Sequence, residues 1–344
     1  MRMKQMRHIL YVTEPDLALK IEGQALCAVH SEGRKDKIPF HLLEGIVSFS
    51  YASITPAVMT ECARRGIGLT AVTPSGKVRF RIEGETRGNV LLRMRQYELF
   101  GGEGCVPLAR EMIAGKLSNG RKLLQRFRRN HPDWHADELE QICCQMQDQE
   151  KKLAMAVDCN QLRGIEGAAA KSYFDGFAAM IRTGDRIFSF EGRSRRPPGN
   201  CCNAMLSFAY ALLQNECIQA LESVGLDPFV GVLHGVRPGK PALALGIMEE
   251  LRPLIVDRFV VNLINRQMAD AAWFIYTPDN GVLLNDDGRK SFLREWTRWR
   301  ETIIQLWGEP SKLETGLLPY YQANRLAAFL RGDGNGFTRF CWKG

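Results

Sequence analysis

The chain has 344 residues, of which 45% are hydrophobic and 24% charged, with 46 Lys and Arg against 38 Asp and Glu for a net charge of +8 and a pI near 9.0. That length exceeds what one core usually fills, so two domains are expected; the composition excludes a disordered or low-complexity chain, and no apolar run is long enough to span a bilayer. A basic chain of this kind favours a polyanionic partner and, with a basic start (Met1 to His8) that lacks a signal-type apolar core, a cytoplasmic location.

The first stretch reads as short strands: His8 to Thr13, Leu17 to Glu22, Gln24 to His30, Ile46 to Phe49, Ile67 to Val72 and Lys77 to Ile82, punctuated by Gly23, Gly33, Pro74 and Gly76. One helix interrupts them, Pro56 to Arg65, with Thr55 as its cap and Gly66 as its stop. From Val90 the apolar period becomes helical. Helices are predicted over Pro107 to Lys116, Arg121 to Arg129, Ala136 to Asp158, Glu166 to Arg182, Asn200 to Ser223, Ala242 to Met268, Gly288 to Trp307 and Pro319 to Arg331. The fold class is therefore α+β, a β-rich domain over residues 1–88 followed by a larger all-α domain over residues 89–344. Ten cysteines are diluted in a large chain, and the neighbours Cys143-Cys144 and Cys201-Cys202 would bridge only with strain, so reduced thiols are expected. No C-x-x-C pair supports a zinc ribbon, and His131-Pro-Asp-Trp-His135 reads as a loop or helix start rather than a metal site.

Charge is clustered in the middle of the chain. Arg193, Arg195 and Arg196, ahead of Pro197-Pro198, present guanidiniums suited to phosphate, and Asn200 caps the helix that follows. On that helix Asn203, Ser207, Tyr210 and Gln214 form a polar line opposite Met205, Phe208, Ala209 and Leu212, which is either a solvated side or a face turned to a site.

Three residues stand out as candidate metal ligands. Glu166 lies between Gly164 and Gly167 and is read at a helix start, where it answers the helix dipole or serves as a ligand. His234 sits in a turn-rich loop, between Gly231 and Pro238-Gly239-Lys240-Pro241, just ahead of an acidic helix. On that helix Ile247, Leu251, Leu254, Ile255 and Phe259 make the buried stripe, and Glu249 lies off it, facing either solvent or a cleft, while Pro253 forfeits a backbone hydrogen bond nearby. Two carboxylates and one imidazole suit Mn²⁺ or Mg²⁺, and on a basic chain they point to metal-assisted chemistry on nucleic-acid phosphodiesters.

Taken together, Gly164 to Ala170, Arg195 to Pro198 with Asn203 to Tyr210, Gly225 to His234 and Met248 to Pro253 resemble the family of the first-numbered CRISPR-associated (Cas) protein, the integrase of spacer acquisition. Leu43 to Val47 and Gly88 to Arg93 extend the resemblance over nearly the whole chain, which looks most like the type I-C branch. The resemblance implies an N-terminal β-sandwich, a helical catalytic domain, and a homodimer. Two such dimers would flank a dimer of the small second Cas protein in a heterohexamer that carries double-stranded prespacer DNA to the CRISPR array. An iron–sulfur Cas exonuclease is a further implied partner. Motif for motif, Glu166, His234 and Glu249 fall on the family's metal ligands, for Mn²⁺ or Mg²⁺. Many members carry an aspartate where this chain has Gly246, which removes negative charge from the site. The implied reaction is attack of a prespacer 3′-hydroxyl on an array phosphodiester, with Arg193, Arg195, Arg196 and Lys240 on DNA phosphates and Tyr210, Asn203 and Ser207 orienting the scissile one. A branched-DNA nuclease using water, and a non-catalytic DNA-binding scaffold, are the rival readings.

Overall fold

The computed structural model describes residues 8–84, 89–102, 105–308, 312–333 and 336–343; the basic start Met1 to Arg7 and the boundary at Gly88 lie outside the described residues. The chain divides into two compact units, the first made of Met1–Arg87, Ala272–Ile275 and Leu284–Arg298, the second of Gly88–Ala271, Tyr276–Leu283 and Trp299–Gly344.

In the first unit the strands are β1 (His8–Val12), β2 (Ala18–Glu22), β3 (Ala25–Val29), β4 (Lys35–Pro39), β5 (Leu43–Ser48) and β6 (Ser53–Ile54). Helix α1 (Pro56–Arg65) and strands β7 (Gly68–Val72) and β8 (Val78–Ile82) follow. They form two four-stranded sheets, ordered β1-β5-β7-β8 and β4-β3-β2-β6. Gly23, at a φ of 65°, makes the two-residue turn that pairs Glu22 with Ala25. Leu19 and Leu26 from one sheet and Leu43, Ile46 and Leu69 from the other meet Val58 and Cys62 of α1 in one core. Helix α1 has the expected limits, with Pro56 in its first turn and Gly66 closing it in the left-handed conformation. Thr55 holds the cap position without capping, because its hydroxyl donates to the Leu19 carbonyl. Strand β4 is not among the expected strands; its exposed charges, Lys35 to Lys37, are what an edge strand carries.

The larger, C-terminal part is helical: α2 (Val90–Gly101), α3 (Cys105–Asn130), α4 (Ala136–Leu153), α5 (Cys159–Ala179), α6 (Cys201–Ser223), α7 (Ala242–Arg252) and α8 (Arg258–Asn265). After the short strands β9 (Phe274–Tyr276) and β10 (Val282–Leu284) come α9 (Asp286–Arg300), β11 (Ile303–Gln305), β12 (Lys312–Glu314) and α10 (Leu318–Arg331). The antiparallel pair β11–β12 corrects the all-α expectation and ends at Arg300 a helix expected to reach Trp307. No helix among the described residues is long and apolar enough to cross a membrane.

Three helix limits move for reasons that bear on the site. Where two helices were predicted, α3 runs unbroken, because Asn119 and Gly120 are packing residues rather than breakers. The Asn119 amide donates to the carbonyls of Glu250 and Phe340, and at Gly120 a Cβ would stand 3.0 Å from the Tyr173 ring. Helix α5 starts at Cys159, not at Glu166, since the Asp158 carboxylate accepts the N–H groups of Asn160 and Gln161. Glu166 is thus an interior helix residue. The helix expected from Ala242 to Met268 is interrupted by a π turn over Pro253–Asp257. Pro253 has no N–H for an i→i−4 bond, and Arg258 instead closes on the Pro253 carbonyl, five residues back.

Candidate metal centre

Glu249 projects from α7, Glu166 from α5, and His234 from the loop ahead of α7. That loop is held hard against the start of the helix it precedes. The Pro228 carbonyl accepts the N–H groups of Leu243 and Ala244, which are among the first donors of α7, and at Gly231 a Cβ would lie 2.5 Å from the Leu243 nitrogen. From the other side Arg163 of α5 donates to the Leu233 carbonyl at 3.1 Å. His234 is therefore fixed between α5 and α7 by its backbone.

The Glu249 side chain is only 4% exposed. Its Oε1 lies 3.1 Å from Arg252 Nη1 and 3.4 Å from His234 Nε2, and its Oε2 lies 2.8 Å from Lys116 Nζ of α3. The same ammonium makes a short contact with Glu166 Oε1. The two carboxylates, remote in sequence, meet on one cation supplied by the chain. Burial by itself would raise the Glu249 carboxyl, but the charges of Arg252 and Lys116 more than offset it and hold the group well below the ordinary carboxylate range.

Among the described residues no three His, Cys, Asp or Glu side chains stand together as a ready-made cage, and the Lys116 ammonium occupies the space between the acids. The donor chemistry nevertheless suits a divalent cation. Glu249 Oε2 faces the Lys116 ammonium at 2.8 Å, and His234 Nε2 is buried 3.4 Å from Glu249 Oε1 outside good hydrogen-bond geometry, so this acid–imidazole set is one that a cation satisfies.

Beside this set lies a second cluster. Arg193 donates to Asn203 Oδ1 at 2.8 Å and to Ser207 Oγ at 2.9 Å, and its guanidinium lies over the Tyr210 ring. Arg252 lies over the same ring, with its guanidinium carbon 5.1 Å from the centroid. The Tyr210 hydroxyl donates to Asp257 Oδ1 at 2.5 Å and that of Tyr173 to Oδ2 at 2.7 Å. Burial pushes the Asp257 carboxyl up to about 6, against the pull of both tyrosines and both arginines. A cavity of about 40 Å³, lined by Lys116, Glu166, Tyr173, Arg195, Tyr210 and Asp257 among others, joins the two clusters.

Asn203, Ser207 and Tyr210 of the polar line on α6 thus face the site, but Asn203 and Ser207 are engaged by Arg193. Arg195 and Arg196 are exposed, and half-buried Lys240 makes no ion pair with the cluster among the described residues. Sequence reasoning missed Lys116, Arg252 and Asp257. Arg252 had a local signal, three residues past Glu249 on one helix. Asp257 had none, because a π turn breaks the helical spacing. Lys116 had none either.

The family model described as CRISPR associated protein Cas1 matches residues 10–298. A relative from Rhodospirillum rubrum, CRISPR-associated endonuclease Cas1 2, is 40% identical over 99% of this chain and 100% of its own length. Among solved structures, a casposase bound to integration product superposes with a TM-score of 0.84 at 22% identity, covering 97% of this chain and 93% of that one. A chain of a Cas6-RT-Cas1–Cas2 complex superposes with a TM-score of 0.82 at 18% identity, over 100% of this chain and 37% of the other. At such identities these two likenesses concern the fold.

Proposed function

The chain belongs to the Cas1 family of CRISPR-associated proteins, and from that membership we propose that it is the metal-dependent integrase of CRISPR adaptation, in a type I-C-like system. The observation that carries the reading is the convergence of Glu166 and Glu249 on one cation position, with the His234 imidazole 3.4 Å from Glu249. In this reading the first unit's two sheets form the β-sandwich, and the chain works as a homodimer with the small second Cas protein in a heterohexamer; the likeness to a chain from a Cas1–Cas2 complex supports that partner. An iron–sulfur Cas exonuclease is a further partner.

A prespacer 3′-oxygen forms a bond to an array phosphorus, the bond from that phosphorus to the array 3′-oxygen breaks, and the proton of the attacking hydroxyl passes to solvent while the departing oxygen gains one. Mn²⁺ or Mg²⁺ held by Glu166, His234 and Glu249 would supply positive charge to offset the negative charge on the phosphoryl oxygens. Exposed Arg195 and Arg196, with half-buried Lys240, hold DNA phosphates. Arg193 is held rigid by Asn203, Ser207 and Tyr210, so these three orient the phosphate through the arginine rather than by touching it. His234 serves as a ligand rather than an obligatory base.

The test is strand joining into a supercoiled array plasmid by the purified chain with its small partner, with and without Mn²⁺. Joined product should require the metal and vanish in Glu249→Gln. Cleavage of branched DNA without joining would favour the nuclease, a reading the relative's name, endonuclease, keeps in play. Unchanged joining in Glu166→Ala and His234→Ala would leave only a scaffold.

A further inference from the structure

We propose that Lys116 is the centre's built-in counter-ion: its ammonium occupies the cation position between Glu166 and Glu249, competes with the divalent ion for it, and so sets how tightly that ion binds. The inference rests on reading Glu166, His234 and Glu249 as cation ligands, and concerns the regulation of that same site.

Two carboxylates this close, one of them on a side chain only 4% exposed, cannot both stay charged without a neutralising partner. Lys116 provides it from a third helix, 2.8 Å from Glu249 and in short contact with Glu166, on a side chain that is itself 15% exposed. Arg252 is already engaged on the other oxygen of Glu249 and under Tyr210, so it cannot take over. A divalent ion bound to both acids would stand where the ammonium stands, and like charges at that separation repel strongly in a poorly solvated site. Lysine and metal are therefore alternatives.

The displaced side chain has somewhere to go. The cavity of about 40 Å³ is lined by Lys116 itself, and by Gly120, Ala169 and Ala170, whose lack of bulk keeps it open. A space of that size holds a few water molecules or the end of a lysine. Asp257 lines it too, a buried carboxylate that, among the described residues, accepts hydrogen bonds from Tyr173 and Tyr210. In this arrangement Lys116 has two stations, one on the metal ligands and one toward Asp257. The chain stays neutralised when the ion is absent and pays for it in affinity when the ion arrives.

The experiment is a Mn²⁺ titration of the full chain, read by the electron paramagnetic resonance signal of free Mn²⁺, with thermal melts of the metal-free protein alongside. Lys116→Met should bind Mn²⁺ at least tenfold more tightly than the parent and melt lower without metal, the deficit being recovered on adding Mn²⁺. Lys116→Gln should shift both readouts the same way, which covers the case in which the methionine variant folds poorly. Lys116→Arg, which keeps the charge, should bind no more tightly than the parent. Affinity that is unchanged or lower in both uncharged variants overturns the inference. Glu166→Gln and Glu249→Gln separate this from the underlying reading. If they bind Mn²⁺ as the parent does, the metal centre itself is wrong; if they lose it while Lys116→Met leaves affinity alone, only the lysine's role is wrong.

Discussion

Replacing Glu250 with glutamine should remove a loss of stability that the parent shows between pH 5 and 8. The residue follows Glu249 on α7 but points the other way, fully buried, where its Oε2 accepts the Phe340 N–H at 2.5 Å and the Gln322 amide at 3.1 Å. Its Oε1 has no hydrogen-bond partner among the described residues. Burial pushes the carboxyl from 4.5 up to about 8, with Phe340 and Gln322 pulling in the opposite sense. The folded protein therefore keeps a proton that the unfolded chain releases, so the stabilisation is fully present below pH 4.5 and is lost as the pH rises to about 8. A gap of about 3.5 pH units at 1.36 kcal/mol each amounts to about 5 kcal/mol, of which about 4 kcal/mol falls between pH 5 and 8. Glutamine keeps one oxygen for both donors and places an uncharged amide at the other position, so the variant should match the parent near pH 5 and exceed it by several kcal/mol at pH 8.5. Urea midpoints at a series of pH values measure this. Asp257, raised from 3.8 to about 6, contributes a smaller loss over that lower range in both proteins and cancels in the comparison. Parallel pH profiles for parent and variant would refute the reasoning.

Gly115→Ala should destabilise the protein by about 1–2 kcal/mol despite alanine's better helix propensity, because a Cβ there would lie 2.9 Å from both Cγ and Oε2 of buried Glu250; a raised urea midpoint would show that the side chain yields freely. Asn203→Ala removes one acceptor of Arg193, the acceptor of the Ser194 N–H, and the side-chain donor to the Gly192 carbonyl. Amide exchange across residues 191–199 should then speed up and DNA binding weaken, with little change in Mn²⁺ affinity. Unaltered exchange in that loop would mean the asparagine does not hold it.

Much of the architecture was legible because its signals are local. The alternation of β1 to β3 and the stops at Gly23 and Gly66 depend on neighbours within a few residues, as does the Asn200 cap of α6, whose side chain accepts the Asn203 N–H. Local signals also misled. Gly164 and Gly167 look like a helix start around Glu166, yet the Asp158 cap fixes the beginning of α5 and both glycines ride inside it. Ser118-Asn119-Gly120 looks like a break, yet those residues are buried contacts of one long helix.

The amino-acid order by itself determined the strand-then-helix division, the Gly66 stop and the Asn200 cap, and picked out two acids and an imidazole as the residues to watch. Tertiary structure alone decided what else surrounds them: Lys116 of α3 between Glu166 and Glu249, the Tyr210 ring against Arg252, and Asp257 on two tyrosines. The reason is that electrostatic energy depends on distance through space and on exclusion of water. Both arise only when α3, α5, α6 and α7 pack, and separation along the chain encodes neither.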